Sequence, residues 1–164
     1  VGMAEPCPLL NDSGNDSGES TSAHSRLYNI GKDLDVLNEI QNAVWITNFQ
    51  QDDTRFVWAN TSALRLWSKP SLVAFISTDI TSERSLAVKK IHQDIFEDVQ
   101  IGRKIVIQRR TMYPSGVAVT VDLEFRPINL IISEDTEPAT YVMVTGVPII
   151  IQEEGHKEMI RSHE

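Results

Sequence analysis

Between residues 117 and 128 the chain alternates with a period of two. Val117, Val119, Val121, Leu123 and Phe125 fall on one side, and Thr120, Asp122, Glu124 and Arg126 on the other, the mark of a strand with one covered face. YPSG (113–116) precedes it with Pro114 and Gly116 placed for a turn, so RKIVIQRRTM (103–112) reads as the partner strand of a hairpin. The polar loop ISEDTEPA (132–139) then leads to a last strand, TYVMVTGVPII (140–150). Upstream, VWITNF (44–49) and RFVWAN (55–60) are β-branched and aromatic runs separated by QQDDT (50–54), which predicts a second hairpin. Bulky residues occupy both phases of 44–60, so the pattern leaves open whether Trp45 or Ile46 faces inward.

Elsewhere the period lengthens toward 3.6. DLDVLNEIQNAV (33–44) places Leu34, Leu37, Ile40 and Val44 on one helix face with Asp33 as its cap. Asn60, Thr61 and Ser62 can each accept from a free helix N–H, so the second strand ends where a short helix begins. Pro70 stops that helix, and Ser71–Ile76 offers one more apolar turn. A longer helix is expected from a cap at Thr81, with Glu83 in its first turn, to about Ile101, where Gly102 ends it. Val88, Ile91, His92, Ile95, Phe96 and Val99 form its apolar stripe, with Lys89, Lys90, Gln93, Asp94 and Glu97 outside it. The order predicts an α+β fold, an antiparallel sheet with helices across one face.

At 164 residues with 41% hydrophobic content, one domain with appendages is expected. The net charge of −8 argues against general nucleic-acid or anionic-membrane binding, and no run approaches the roughly 18 apolar residues of a membrane span. Cys7 is the single cysteine, which rules out an internal disulfide or a multi-thiolate metal site and fits a reducing, cytoplasmic setting. The sequons at Asn11, Asn15 and Asn60 then read as chance. Residues 1–32 hold the tandem NDSGNDSG and read as a flexible acidic tail open to phosphorylation, in which DSGNDS resembles the D-S-G-x-x-S phosphodegron. The domain is expected over 33–151, with QEEGHKEMIRSHE (152–164) starting a linker helix toward an effector domain.

Three of these segments resemble the PAS domain, a sensory module of signalling proteins. RFVWANTSALRLW is similar to the family's second strand, its Asn and the short helix after it. TMYPSGVAVTVDLEFRPI is similar to the Gly-turn hairpin of the third and fourth strands, and YVMVTGVPII sits where the fifth belongs. The resemblance covers about residues 40–151. It implies a five-stranded antiparallel sheet of order 2-1-5-4-3 with helices closing a cavity on its inner face. It departs from the light-oxygen-voltage subfamily, whose flavin–cysteinyl adduct needs a cysteine that this chain lacks after position 7. Pro148, near the end of the last strand, leaves the exit path open.

His92 is the single histidine between Asp33 and Ile151. Haem-binding members of the family ligate iron through a histidine on this helix, which the resemblance carries to His92; the ordinary alternative is a ring packed at a helix boundary. The resemblance implies a pocket drawn from His92, Trp67, Phe75, Ile91, Ile95, Phe96, Val121, Leu123, Phe125 and Met143, with Asn60 as a structural cap; the same apolar residues also suit a filled core. Asp122 with Glu124, and Asp52 with Asp53, are paired carboxylates on a solvated face or in a loop, without the cleft that acid–base chemistry needs. No P-loop, dinucleotide glycine pattern, HExxH or GxSxG occurs. Arg103, Lys104, Arg109 and Arg110 read as a soluble sheet edge. The leading expectation is a non-enzymatic sensor or interaction module that relays a change through its flanking helices. A ligand-free homodimerisation module, pairing through the N-terminal helix or outer sheet face, and a small enzyme using His92 as base are its rivals.

Overall fold

The structure is a computed structural model that describes residues 26–82 and 84–149. The acidic tandem, Cys7, Glu83 and the 152–164 segment lie outside the described residues. Six strands form one sheet: β1 (Leu27–Asn29), β2 (Ala43–Asn48), β3 (Arg55–Ala59), β4 (Val106–Met112), β5 (Val119–Ile131) and β6 (Ala139–Pro148). Five of them run antiparallel in the spatial order β3-β2-β6-β5-β4, which is 2-1-5-4-3 when those five are numbered along the chain. Three helices, α1 (Thr61–Leu66), α2 (Leu72–Ile76) and α3 (Leu86–Ile95), lie between β3 and β4.

The sixth strand corrects the tail boundary. β1 lies inside the stretch read as flexible, and pairs in parallel with the far end of β5, Leu27 opposite Asn129 and Asn29 opposite Ile131. β5 is long enough to carry β4 along residues 119–125 and β1 along 129–131, and Pro127 falls in the gap between the two ladders. A residue without an N–H suits that gap. At the other end, Pro148 stays in register opposite Val121, and Ile149 N–H donates to the Thr120 carbonyl at 2.8 Å, so β6 continues along the sheet.

The helix expected over 33–44 is also corrected. Only Asp35–Glu39 is helical, as a short 3-10 turn. Val44 belongs to β2, and Ile40 is exposed. Leu34 is 2% exposed and packs with Tyr28, Ile30 and Leu37 against Val44, Ile46, Val57, Ile128 and Leu130. The outer face proposed for homodimerisation is therefore covered over β2, β3 and the far end of β5 by the chain's own N-terminal segment, and stays open toward β4. Burying Leu34 alone contributes about 2 kcal/mol. The phase of β2 is thereby settled: Ile46 faces outward into this cluster, and Trp45 faces inward.

Asn60 joins the two sides. Its Oδ1 accepts from Ala63 N–H at 2.8 Å, capping α1, and from Val44 N–H at 3.0 Å; its Nδ2 donates to the Leu37 and Asn42 carbonyls, both at 2.9 Å. The residue is fully buried, so its amide is a structural tie and not a glycosylation acceptor.

The long helix begins later than the sequence indicates. Ser85, not Thr81, caps α3. Thr81 is held in a turn by Asp79, whose carboxylate accepts from its N–H and its hydroxyl, both at 2.7 Å. After Ile95 the chain widens into a π-helical turn, Phe96–Ile101. Gln100 pins that turn to the end of β2, accepting from Phe49 N–H at 3.2 Å and donating to Asn48 Oδ1 at 2.8 Å. Ile95 and Val99 are buried with Val121, Leu123 and Phe125. Leu86, at the other end of α3, is 84% exposed.

Candidate functional site

Because α3 docks through its last turn, its first half stands away from the sheet and leaves a cavity of about 230 Å³ beneath it. The strands build its floor. Trp45, Thr47 and Phe49 come from β2 and its end, Phe56 from β3, Leu123 and Phe125 from β5, and Val144 from β6. Trp67, at the end of α1, closes one side. Its ring meets Trp45 edge-on at 5.8 Å and Phe56 at 5.1 Å between centroids. Gly146 permits this arrangement: a Cβ there would meet the Trp45 ring at 3.0 Å and Val121 at 3.2 Å.

The roof is polar. Arg84, Val88 and His92 come from α3 and the residues just before it, and Arg110 and Met112 from β4. Phe49, Arg84 and His92 also border a wider depression lined by Gln51, Asp52, Thr81, Lys89 and Lys90, so they form a doorway between the cavity and solvent. Val88, Arg110 and Met112 border a second opening, shared with Ile91, Gln108, Arg109 and Thr111.

His92 is packed against the Phe49 ring at 4.9 Å, and its Nδ1 contacts Arg84 Nη1. Burial, then the charges of Arg84 and Arg110, push its pKa down to about 4, so the ring is neutral at pH 7. Arg110 lies with its guanidinium 5.3 Å from the centroid of Phe125 and donates from Nε to Gln108 Oε1 at 2.7 Å. Burial lowers its pKa from the ordinary arginine value. Two buried polar side-chain atoms lack a hydrogen-bond partner among the described residues, Thr47 Oγ1 and Trp67 Nε1, and both belong to residues lining this cavity.

Of the residues expected in a pocket, His92, Trp67, Leu123 and Phe125 meet around this space. Phe75 stacks on Phe56 at 4.1 Å, in the second layer behind the wall. Ile95 and Val121 are in the solid part of the core, with Phe96 packed against it. Ile91 borders only the outer opening at β4. Met143 is a correction: it lies on the opposite face of the sheet, because its neighbours Val142 and Val144 take the inward positions of β6.

The sequence reading missed Arg84 and Arg110. Arg110 was assigned to an exposed basic edge, yet it is directly opposite Val121 in the β4–β5 ladder, within the inward phase. The rest of that edge is solvated: Arg109 is bidentate to Asp122 at 2.7 and 3.0 Å, and Lys104 reaches Asp98 at 2.8 Å.

His92 does not suit haem ligation. A metal-bound histidine donates its other nitrogen to a carboxylate, carbonyl or water, whereas here Nδ1 faces a guanidinium. The cavity is also below the roughly 300 Å³ at which drug-sized sites begin, and haem is larger still. The general-base reading needed Asp or Glu beside His92, and its side-chain partner is Arg84 instead. Among the described residues no group of three or more His, Cys, Asp or Glu could hold a metal, and no helix is long and apolar enough to cross a membrane.

Sheet order and helix placement define a PAS-like α+β fold, which solved structures share. The chain superposes on the PAS domain of Bordetella pertussis BvgS with a TM-score of 0.51 at 12% identity, covering 71% of this chain and 83% of that one. A PAS domain from Desulfitobacterium hafniense aligns with a TM-score of 0.48 at 14% identity, over 69% of this chain and 97% of that one. The LOV protein of Rhodobacter sphaeroides aligns with a TM-score of 0.45 at 15% identity, over 68% of this chain and 61% of that one. No protein-family model matches the chain, and no curated protein does. At 12% identity the likeness establishes the fold; function has to be argued from the cavity.

Proposed function

We propose that the chain is a sensory module whose input is a small ligand held between α3 and the sheet, and whose output is a repacking of α3 and the segments flanking the fold. The observation that carries this reading is a coincidence. The two buried polar atoms without partners among the described residues both belong to the walls of one aromatic cavity. Buried polar groups are nearly always paired, and both atoms are themselves enclosed behind the cavity surface, so pairing them takes a shift of the packing around the cavity of the kind an occupant could drive.

The geometry also supplies a lever. α3 is anchored at Ile95, and the turn after it at Val99, while Leu86 is exposed and Val88 only partly covered. A ligand beneath Val88 would hold the first half of the helix against the sheet. Such a cue acts only through its differential affinity for the two packings. An effector domain elsewhere in a longer chain would receive the change. No catalytic role is assigned to His92, and with Cys7 preceding the fold a flavin–cysteinyl adduct forms no part of the proposal.

A second reading is a ligand-free dimerisation module. It draws support from the Phe56–Phe75–Trp67 stack, which already fills much of the inner layer with side chains. Native mass spectrometry of the purified protein, followed by a thermal-shift panel of single-ring metabolites, separates the two. A retained or stabilising small molecule is expected. Finding neither, together with a concentration-dependent dimer in sedimentation, overturns the sensor in favour of the interaction module.

A further inference from the structure

The cavity is one-ended in charge. Among the described residues its lining holds two guanidiniums and an imidazole but no carboxylate, and Asp52 lies in the depression outside the doorway. The five ion pairs among the described residues take Arg55, Lys90, Lys104, Arg109 and Arg126, and none takes Arg84 or Arg110. The contrast within β4 is sharp. Arg109 points out and is bidentate to Asp122, while Arg110, one residue later, turns in over Phe125 with only the neutral Gln108 amide as its hydrogen-bond partner. A chain of net charge −8 has carboxylates in plenty, so their absence here is local.

Resting on the sensor reading above, we infer that the ligand is a single-ring organic anion, its ring among Trp45, Phe56 and Trp67 and its carboxylate at the polar roof, beside His92 and between Arg84 and Arg110. Three lines converge on that class. Withdrawing a guanidinium from water without a counterion is costly, and a carboxylate offset by two arginines removes the cost with charge-assisted, geometrically matched hydrogen bonds. Both arginines retain donors for it: Arg84 uses Nε on the Thr81 carbonyl at 3.2 Å and Nη1 on His92, which leaves Nη2, and Arg110 uses Nε and Nη2 on Gln108, which leaves Nη1. Aromatic walls exclude a bare inorganic anion as the best occupant, because they would strip its hydration and return nothing. The volume of about 230 Å³ limits the apolar part to one ring.

Phenylacetate and its neutral isostere phenylacetamide are the probes, titrated into the 164-residue chain. Binding is followed by tryptophan fluorescence and by thermal shift, since Trp45 and Trp67 line the cavity. Phenylacetate is expected to bind at least about tenfold more tightly than the amide, a difference of roughly 1.4 kcal/mol. Arg110→Gln and Arg84→Gln should each cost phenylacetate several times more affinity than they cost the amide, whose carbonyl can use the same donors without their charge, and so remove most of the preference. Arg110→Lys, which keeps the charge, should retain most of the preference and guards against misfolding of the glutamine variant. Equal or tighter binding of the amide overturns the anion and leaves the cavity reading standing. A preference for phenylacetate that survives both glutamine variants also overturns the proposal, because the carboxylate then lies elsewhere. Binding of neither probe overturns both the anion and the cavity reading.

Discussion

Over β2, β3 and the far end of β5 the outer face of the sheet is covered by the chain's own residues 28–37, whose Tyr28, Ile30, Leu34 and Leu37 meet Val44, Ile46, Val57, Ile128 and Leu130. On its inner face the cover is a helix docked at one end, over aromatic rings, two arginines, and an indole N–H and a hydroxyl without a hydrogen-bond partner among the described residues. One sheet thus has a closed side and an unfinished side. The difference teaches where change can be stored. A close-packed face has one low-energy arrangement, whereas a face with a void and unmet polar groups has a second arrangement within reach of a ligand.

The largest effect is expected where the two sides are tied together. Asn60→Ala strands the N–H groups of Val44 and Ala63 and the carbonyls of Leu37 and Asn42 at once. Leaving buried groups unpaired costs about 1–3 kcal/mol each, though relaxation and water recover part. A loss of about 3–5 kcal/mol, read as a fall of roughly 10–20 °C in Tm, is expected. Asn60→Asp tells donor from acceptor: it can still cap α1 but cannot donate to the two carbonyls, so it should recover little. If Asn60→Asp is as stable as wild type, the tie to the outer segment does not matter.

Next comes the closed side itself. Leu34→Ala removes a side chain that is 2% exposed and should cost about 2–4 kcal/mol in chemical denaturation, with no change in phenylacetate affinity. A loss of affinity equal to that of Arg110→Gln would show that the two faces are not separable.

How much of this was legible beforehand follows the same division. The alternation of β5 is visible because one of its faces is wet along residues 120–126, and the Asn60 cap is visible because few residue types can end a strand and start a helix there. β1 was hidden, since three residues carry no periodicity and its partner is 102 positions away at Leu27 opposite Asn129. The spacing of Leu34, Leu37 and Ile40 imitates a helix, yet a single 3-10 turn is enough to bury Leu34 at its start and half-bury Leu37, while Val44 is claimed by the β2 ladder, opposite Thr145. Thr81 reads as a cap, but both its hydroxyl and its N–H donate to the Asp79 carboxylate, which holds it in a turn ahead of the helix. Arg110 could have been found. Extending the inward phase of Val121 across the YPSG turn places Arg110 opposite it.

A smaller effect should appear with pH. His92 is pushed down to about 4 from 6.5 by burial and by Arg84 and Arg110, with Lys89, Lys90 and Asp52 lining the depression outside. The unfolded chain therefore takes up a proton near pH 6.5 that the folded chain refuses until about 4. This contribution leaves stability intact above pH 6.5 and erodes it as pH falls from 6.5 toward 4. The ring is partly exposed, so the loss is on the order of 1 kcal/mol after allowing for solvent screening. Melting curves of wild type and His92→Gln at pH 7.5 and 5 measure it. The wild type should lose more on acidification than the variant, and equal losses would show that the ring titrates normally.

The subtlest test is one of sign. Thr47→Val exchanges a hydroxyl for a methyl of nearly the same shape at a position with 0% exposure, where Oγ1 has no partner among the described residues. A buried hydroxyl without a hydrogen bond is a liability in the free protein, and removing it should stabilise by up to about 1 kcal/mol. On the tied side of the sheet a polar-to-apolar change at Asn60 is costly, whereas here the same kind of change should help, because the group has lost water and gained nothing. Equilibrium denaturation of the ligand-free variant decides it. A destabilisation of about 1 kcal/mol or more would mean that the hydroxyl already has a partner inside the free protein, and an inner face finished in that way has no unmet group waiting for a ligand.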